Sequence, residues 1–212
     1  MHWHQPLDTL LDNAAKVRIL RFLCRKGGQW SGRRIAAELR LNPVTTHRAL
    51  KALSLATIVE FRRVGNSLLY SLRHEHYMVR SLLAPLFQGE GQRWQHLTDL
   101  LQHHLQARLR REVVAIALYG SIVRGQERPT SDLDLFVLVR TAQSKRPVQE
   151  WLDQLWEPVT REFGNSLAPY VQTVEEARQK YRRGLPLLQD ILQHHQLLMG
   201  HPLRKVLNGR TA

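Results

Sequence analysis

Cysteine is nearly absent from this chain. Cys24 is the single thiol in 212 residues, so no internal disulfide can staple the fold. Its place beside Leu23 in an apolar helical stretch reads as a buried, inert thiol rather than a nucleophile. No apolar run approaches the length of about eighteen residues that a membrane span needs, and the N-terminus lacks the charged-then-apolar pattern of a signal peptide. The expectation is a cytoplasmic protein without a membrane partner. Internal repeats and low-complexity tracts are missing too, and with 43% hydrophobic residues the chain can bury a core. Its length allows one large or two small domains. Acidic residues are the other shortage. Eighteen Asp and Glu stand against 31 Lys and Arg, a formal charge of +13, which favours a polyanionic partner. Residues 1–76 hold 13 Lys/Arg against 5 Asp/Glu, and residues 77–212 hold 18 against 13. The N-terminal third is the more basic per residue, and nucleic acid is the first expectation for its partner.

What is present is organised by capping signals. The opening Met1-His2-Trp3-His4 has two histidines but no third ligand at a usable spacing, so it reads as a terminal tail. Asn13 caps a helix whose apolar face carries Val17, Leu20, Leu23 and Cys24, and Gly27-Gly28 stops it. Ser31 caps a second helix with Ile35, Ala36 and Leu39 inward. Asn42-Pro43 starts a third, with Val44, Ala49, Leu50 and Leu53 as its apolar side. Ile58 to Phe61 and Leu68 to Leu72 then read as two strands around a basic hairpin loop, Arg62 to Ser67.

Three short helices followed by a basic hairpin resemble the winged helix-turn-helix of bacterial transcription regulators, over roughly residues 10–75. That resemblance implies double-stranded DNA as partner. Thr45, Thr46, His47, Arg48 and Lys51 on the third helix are placed to face a major groove, and Arg62, Arg63 and Asn66 in the wing to meet phosphates or the minor groove. Winged domains also serve as protein-contact modules, so the fold alone does not fix the partner.

Residues 76–111 read as a helical connector. Val79, Leu82, Leu83, Leu86 and Phe87 form one apolar stripe, and Trp94, Leu97, Leu101 and Leu105 another. Such a stripe serves either a homodimer or packing against the C-terminal domain. The adjacent pairs His103-His104 and His194-His195 point in different directions and make poor metal sites.

Residues 112–212 hold the chemistry. An apolar run, Val113 to Tyr119, meets the Gly120-Ser121 turn and a basic segment ending in Arg124-Gly125. A second apolar run, Leu133 to Val139, opens on Ser131-Asp132-Leu133-Asp134. If both runs are strands, their period of two sets Asp132 and Asp134 on one face, about 6–7 Å apart along the chain. Paired carboxylates are hard oxygen ligands suited to Mg²⁺, which takes its other ligands from water and substrate phosphates. A Gly-Ser turn that opens a helix aims backbone N–H groups and the Ser121 hydroxyl at a phosphate. These residues resemble the signature of the nucleotidyltransferase superfamily related to DNA polymerase β, in its minimal form, over roughly residues 112–175. The resemblance implies that Asp132 and Asp134 are catalytic and ligate Mg²⁺ or Mn²⁺, and that Gly120, Ser121 and Arg124 bind the phosphates of an NTP.

Beyond the signature, residues 147–163 read as a helix with Trp151, Leu152, Leu155, Trp156 and Val159 apolar. Leu167 to Thr173 reads as a strand that Pro169 assigns to an edge or a strand start. A basic helix begins at Val174, a last helix spans Pro186 to Met199, and residues 200–212 are expected to fray. Active members of the family carry a third carboxylate on the later strand, and Leu167–Thr173 has none. Glu162, Glu175 and Glu176 lie outside it.

The fold expected is therefore α+β: a winged helix-turn-helix over 1–75, a connector over 76–111 that is dimerising or packed inward, and a nucleotidyltransferase-like mixed sheet flanked by helices over 112–212. The function expected is a DNA-binding transcriptional regulator that binds Mg-NTP. The alternative is an enzyme first, modifying RNA or a protein acceptor as minimal nucleotidyltransferase antitoxins adenylylate a toxin. A third reading makes both modules scaffolds in an assembly.

Overall fold

Asn13 and Asn42 set the first helices as the sequence requires. The Asn13 side chain accepts from the Lys16 amide at 3.0 Å, and that of Asn42 from the Val44 amide at 2.8 Å, each satisfying an amide the helix leaves unpaired. The computed structural model describes residues 3–209, so Met1 and His2 of the histidine-bearing tail, and residues 210–212 of the C-terminus, lie outside the described residues. Two compact units divide the chain, Met1–Arg93 and Trp94–Ala212.

The first unit runs α1 (Pro6–Leu10), α2 (Ala14–Lys26), β1 (Trp30–Ser31), α3 (Gly32–Leu39), α4 (Pro43–Leu55), β2 (Val59–Val64) and β3 (Ser67–Leu72). A π-helical turn (Val79–Leu83) and α5 (Ala84–Gly91) complete it. Its three-stranded antiparallel sheet has the order β1-β3-β2. This is a winged helix-turn-helix. Ile19, Leu20, Leu23, Ile35, Leu50, Leu53, Ile58 and Val59 form one core, the apolar stripes of the capped helices turned toward each other. Several details differ from the sequence reading. Arg62 and Arg63 lie on β2, paired with Leu69 and Leu68. The turn is shorter, because Gly65, with a left-handed φ of 56°, and Asn66 close the hairpin in two residues. Val44, expected inside, is 59% exposed. β1, only two residues long, is too short to carry a period in the sequence.

The connector does not stand apart from the two units. Glu90 on α5 takes a two-pronged ion pair from Arg21 on α2, at 2.6 and 2.8 Å, and a third contact from Arg25 at 3.1 Å. The Arg21 hydrogen bond, with the nearby cationic charge, holds the Glu90 carboxyl below the usual range against the opposing effect of burial. Val79, Leu83 and Phe87 join the first core, leaving Leu82 and Leu86 exposed.

The second stripe belongs to the second unit. Leu97, Leu101 and Leu105 on and after α6 (Arg93–His104), with Leu109 on α7 (Ala107–Glu112), pack into its core. β4 (Val113–Tyr119), α8 (Gly120–Val123) and β5 (Leu133–Val139) follow, then α9 (Lys145–Gln154), α10 (Trp156–Phe163), β6 (Leu167–Thr173), α11 (Val174–Arg182), α12 (Pro186–Gln193), β7 (Gln196–Gly200) and α13 (Leu203–Leu207). The mixed sheet has the order β6-β5-β4-β7. β4 and β5 are its centre, covered on both faces, which is why both read as unbroken apolar runs. Ile116, Leu118, Leu135 and Val137 face α6, α9 and α10, while Ala115, Ala117, Phe136 and Leu138 face α11, α12 and α13. Pro169 does sit on an edge strand.

The expected helix over 147–163 is two helices broken at Leu155, and Trp156 beyond the break is 52% exposed while Trp151 is buried. The expected helix over 186–199 ends at Gln193, and 196–200 pair with β4 instead. Pairing with a central strand overrode a short apolar pattern that fits either period. Leu203, Val206 and Leu207 are buried, so 203–207 do not fray. Among the described residues, no helix is long and apolar enough to cross a membrane.

Candidate functional site

Gly120 begins α8 immediately after β4, with a left-handed backbone (φ 80°). It is the neighbour of Asp134 across the sheet, because β4 and β5 are antiparallel and Tyr119 pairs with Asp134. The fit is close. A Cβ on Gly120 would collide with Asp134 Oδ2, lie 3.0 Å from Cγ and lie 3.3 Å from Cβ. Glycine is thus demanded twice, by backbone conformation and by the carboxylate lying over it.

Burial pushes the Asp134 carboxyl above the usual range, and the Asp132 charge pushes it further, opposed by the Arg124 charge. Asp132 and Arg124 thus both act electrostatically on Asp134, with opposite sign. Tyr119 completes the group: burial raises its phenol, and the charges of Asp134 and Tyr170 raise it further. Two carboxylates that repel each other beside a glycine turn make a donor set fitted to a divalent cation, which would relieve the repulsion. The set stops at two. Among the described residues, no group of three or more His, Cys, Asp or Glu could hold a metal ion.

The register explains this shortfall. β6 runs parallel to β5, with Ala168 opposite Asp134 and Thr173 opposite Val139. Glu175 and Glu176 follow Thr173 at the far end of the strand, five residues or about 16 Å beyond the level of Asp134. Glu176 is engaged there, closing a capping box with Thr173 and pairing with Lys145 at 3.0 Å. Glu162 bonds His96. On the Asp134 face of β6 stand Tyr170 and Gln172 instead, both bonded by Lys180 Nζ, at 3.0 Å to the phenol oxygen and 2.6 Å to the amide oxygen.

Arg124 occupies a place the sequence did not foresee. Its Nη1 donates to Asp190 Oδ2 of α12 at 2.7 Å, and Asp190 Oδ1 lies 3.1 Å from His194 Nδ1. Burial acts to raise the Asp190 carboxyl, but the hydrogen bonds from His194 and Arg124 prevail and hold it below the usual range. No sequence signal links residues 66 apart. A separate cavity of about 430 Å³, lined among others by Arg108, Glu112, Ser144, Glu150 and Trp151, includes none of these residues.

In the first unit, α4 presents Thr45, His47, Arg48 and Lys51 to solvent, and β2 and its turn present Arg62, Arg63 and Asn66. Thr46 is a correction. It is buried, and its Oγ1 donates to the Asn42 carbonyl at 3.0 Å, so it faces the core one helical step away from the exposed side. A groove of about 470 Å³ lies beside this face, lined by Asn13, Ala15, Lys16, Thr45, Arg48 and Ala49.

The chain is similar to several known proteins. The family model described as "Polymerase beta, Nucleotidyltransferase" matches residues 98–163. The bifunctional uridylyltransferase/uridylyl-removing enzyme of Pseudomonas entomophila (strain L48) is 27% identical over 102 residues, which span 47% of this chain but only 11% of that enzyme. Two solved structures of fragment 1–100 of a Mycobacterium bovis protein are also similar. Its crystal structure, of a possible transcriptional regulatory protein, is 27% identical, with 38% of this chain and 83% of that one covered at a TM-score of 0.33. Its solution structure, of a homodimeric winged helix-turn-helix DNA-binding domain, is 25% identical, with 43% and 81% covered at a TM-score of 0.35. Over residues 98–163 the chain is thus similar to the polymerase β nucleotidyltransferase family.

Proposed function

We propose that this protein is a DNA-binding transcriptional regulator whose second unit binds Mg-NTP. The observation that carries the nucleotide half is the Gly120 turn packed directly under Asp134, with Asp132 and Arg124 in the same electrostatic neighbourhood. Asp132 and Asp134 would hold Mg²⁺ or Mn²⁺, which when bound neutralises the triphosphate and draws electron density from the phosphorus under attack. Gly120 lets the backbone approach the phosphates, the Ser121 hydroxyl adds a donor, and Arg124 supplies a planar guanidinium suited to two phosphate oxygens. With two carboxylates and not three, the site is fitted to hold the nucleotide better than to activate an acceptor.

For the first unit, exposed Thr45, His47, Arg48 and Lys51 on one helical face, flanked by Arg62, Arg63 and Asn66, support double-stranded DNA as partner. A homodimer would set two such helices on a two-fold-related site, and exposed Leu82 and Leu86 offer an apolar surface for it. Such a partner suits a cytoplasmic protein.

A second reading is favoured by the likeness to a uridylyltransferase. In it the protein is chiefly an enzyme that transfers a nucleotide to RNA or to a protein, an antitoxin's toxin included, and the winged unit positions the acceptor. The same experiment tests both. The protein is incubated with Mg²⁺ or Mn²⁺ and each α-labelled NTP, with and without cell extract. Retention of label on the protein that is lost in Asp132→Asn/Asp134→Asn supports nucleotide binding. Covalent label on a macromolecule selects the enzyme. Absence of any retained label sinks the nucleotide half of the proposal.

A further inference from the structure

The charge of Arg124 acts on Asp134, and its guanidinium is already engaged elsewhere. Its Nη1 is committed to Asp190, whose other oxygen is engaged by His194 one turn further along. The helix behind that contact is anchored in the core. Asp190 sits on α12 between Leu188, Ile191 and Leu192, all buried in the core that covers the Asp134 face of the sheet. A guanidinium has five N–H donors in a fixed plane, so one bond to Asp190 orients the group and leaves donors for a ligand.

We infer that Asp190 is a positioning residue for the nucleotide. It holds Arg124 at the turn that follows Gly120-Ser121, so that the triphosphate meets an arginine already ordered. The inference rests on the Mg-NTP reading above. An arginine in the turn just after a four-residue helix, with no anchor, samples many rotamers, and a ligand that captures it must offset that lost freedom. Asp190 has already restricted them. His194 in turn holds Asp190, so the chain of contacts runs His194 to Asp190 to Arg124, ending beside Asp134. Asp190 touches no phosphate in this scheme, and its whole effect on binding passes through Arg124.

That dependence makes a double-mutant cycle decisive. Equilibrium dialysis of Mg-ATP, Mg-GTP, Mg-CTP and Mg-UTP against the full-length protein compares wild type, Asp190→Ala, Arg124→Ala and the double variant, with melting temperatures recorded for each. Asp190→Ala is expected to weaken binding about twofold to tenfold, the range for freeing one long side chain. Arg124→Ala weakens it at least as much, and Asp190→Ala has no further effect in the Arg124→Ala background. Asp190→Asn, which keeps an acceptor oxygen for the guanidinium, recovers part of the loss, and it carries the test if the alanine variant melts too low to assay. The inference is overturned if Asp190→Ala binds as tightly as wild type or tighter. It is equally overturned if that variant loses the same factor with and without Arg124, as a general effect on folding would. If wild type binds none of the four nucleotides, the Mg-NTP reading fails and this one falls with it.

Discussion

Gly120→Ala tests the closest packing at the candidate site. Two costs add. The left-handed φ of 80° at Gly120 is disfavoured by about 1–2 kcal/mol for any residue with a Cβ. The new methyl would also stand 3.0 Å from Asp134 Cγ and nearer still to Oδ2, where carbon atoms ordinarily pack at about 3.5–4.0 Å. The carboxylate must therefore retreat by about 1 Å, or β4 and β5 must part at Tyr119 and Asp134. Retreat is the cheaper route, because the far end of a side chain moves more easily than a paired strand. The expected destabilisation is roughly 1–3 kcal/mol, measured by urea unfolding. The functional loss is expected to be larger in proportion, since a misplacement of about 1 Å at a reacting geometry can cost on the order of a hundredfold. Mg-NTP binding should fall steeply in a protein that remains folded. Wild-type nucleotide binding by a folded Gly120→Ala variant would refute the reasoning, because it would mean that the position of Asp134 over the turn is unimportant to the grip.

Gly200→Ala supplies the structural contrast: with φ 85° and a Cβ that would lie 2.8 Å from Ala115 Cα, it presses on backbone rather than on a side chain, and roughly 3 kcal/mol of stability should be lost by urea unfolding. Asp134 also sets a pH dependence. Its folded pKa is raised, chiefly by burial, so the folded protein holds this proton more tightly than the unfolded chain does. Its contribution to stability is present below the unfolded value and is lost as pH rises through the folded one. Metal-free Asp134→Asn should accordingly melt higher than wild type at neutral pH, the gap closing on acidification toward the unfolded value of 3.8. An Asp134→Asn variant that melts lower throughout would reverse the sign. In the first unit, Arg48→Ala and Lys51→Ala should each weaken DNA binding and lower the salt dependence by about one unit of slope. Thr46→Ala should leave that slope alone and cost about 1 kcal/mol of stability through its lost bond to the Asn42 carbonyl. An unaltered slope in Arg48→Ala would argue against a phosphate contact there.

Local chemistry is what the sequence by itself determined. Asn13, Ser31 and Asn42 cap helices within one turn of themselves, and β4 and β5 announced themselves as unbroken apolar runs. Gly120-Ser121 and Asp132-Leu133-Asp134 were legible because the turn and the period of two act within a few residues. Thr46 is buried while Thr45, His47 and Arg48 are exposed, a difference the sequence hides, because one step around a helix separates the solvent face from the core and the composition there is polar on both sides. Tertiary structure alone decided the rest. It divided residues 76–111 between two cores, since Glu90 meets Arg21 and Arg25 while Leu97 and Leu101 pack on the sheet. It turned 196–200 into an edge strand, because pairing with β4 outweighs a local pattern five residues long. It also fixed the register that sets Ala168 beside Asp134, leaving Glu175 and Glu176 a strand's length away. The contact between Arg124 and Asp190 follows the same rule. Partners far apart in the chain meet only when the sheet closes, and no spacing written in the sequence marks them.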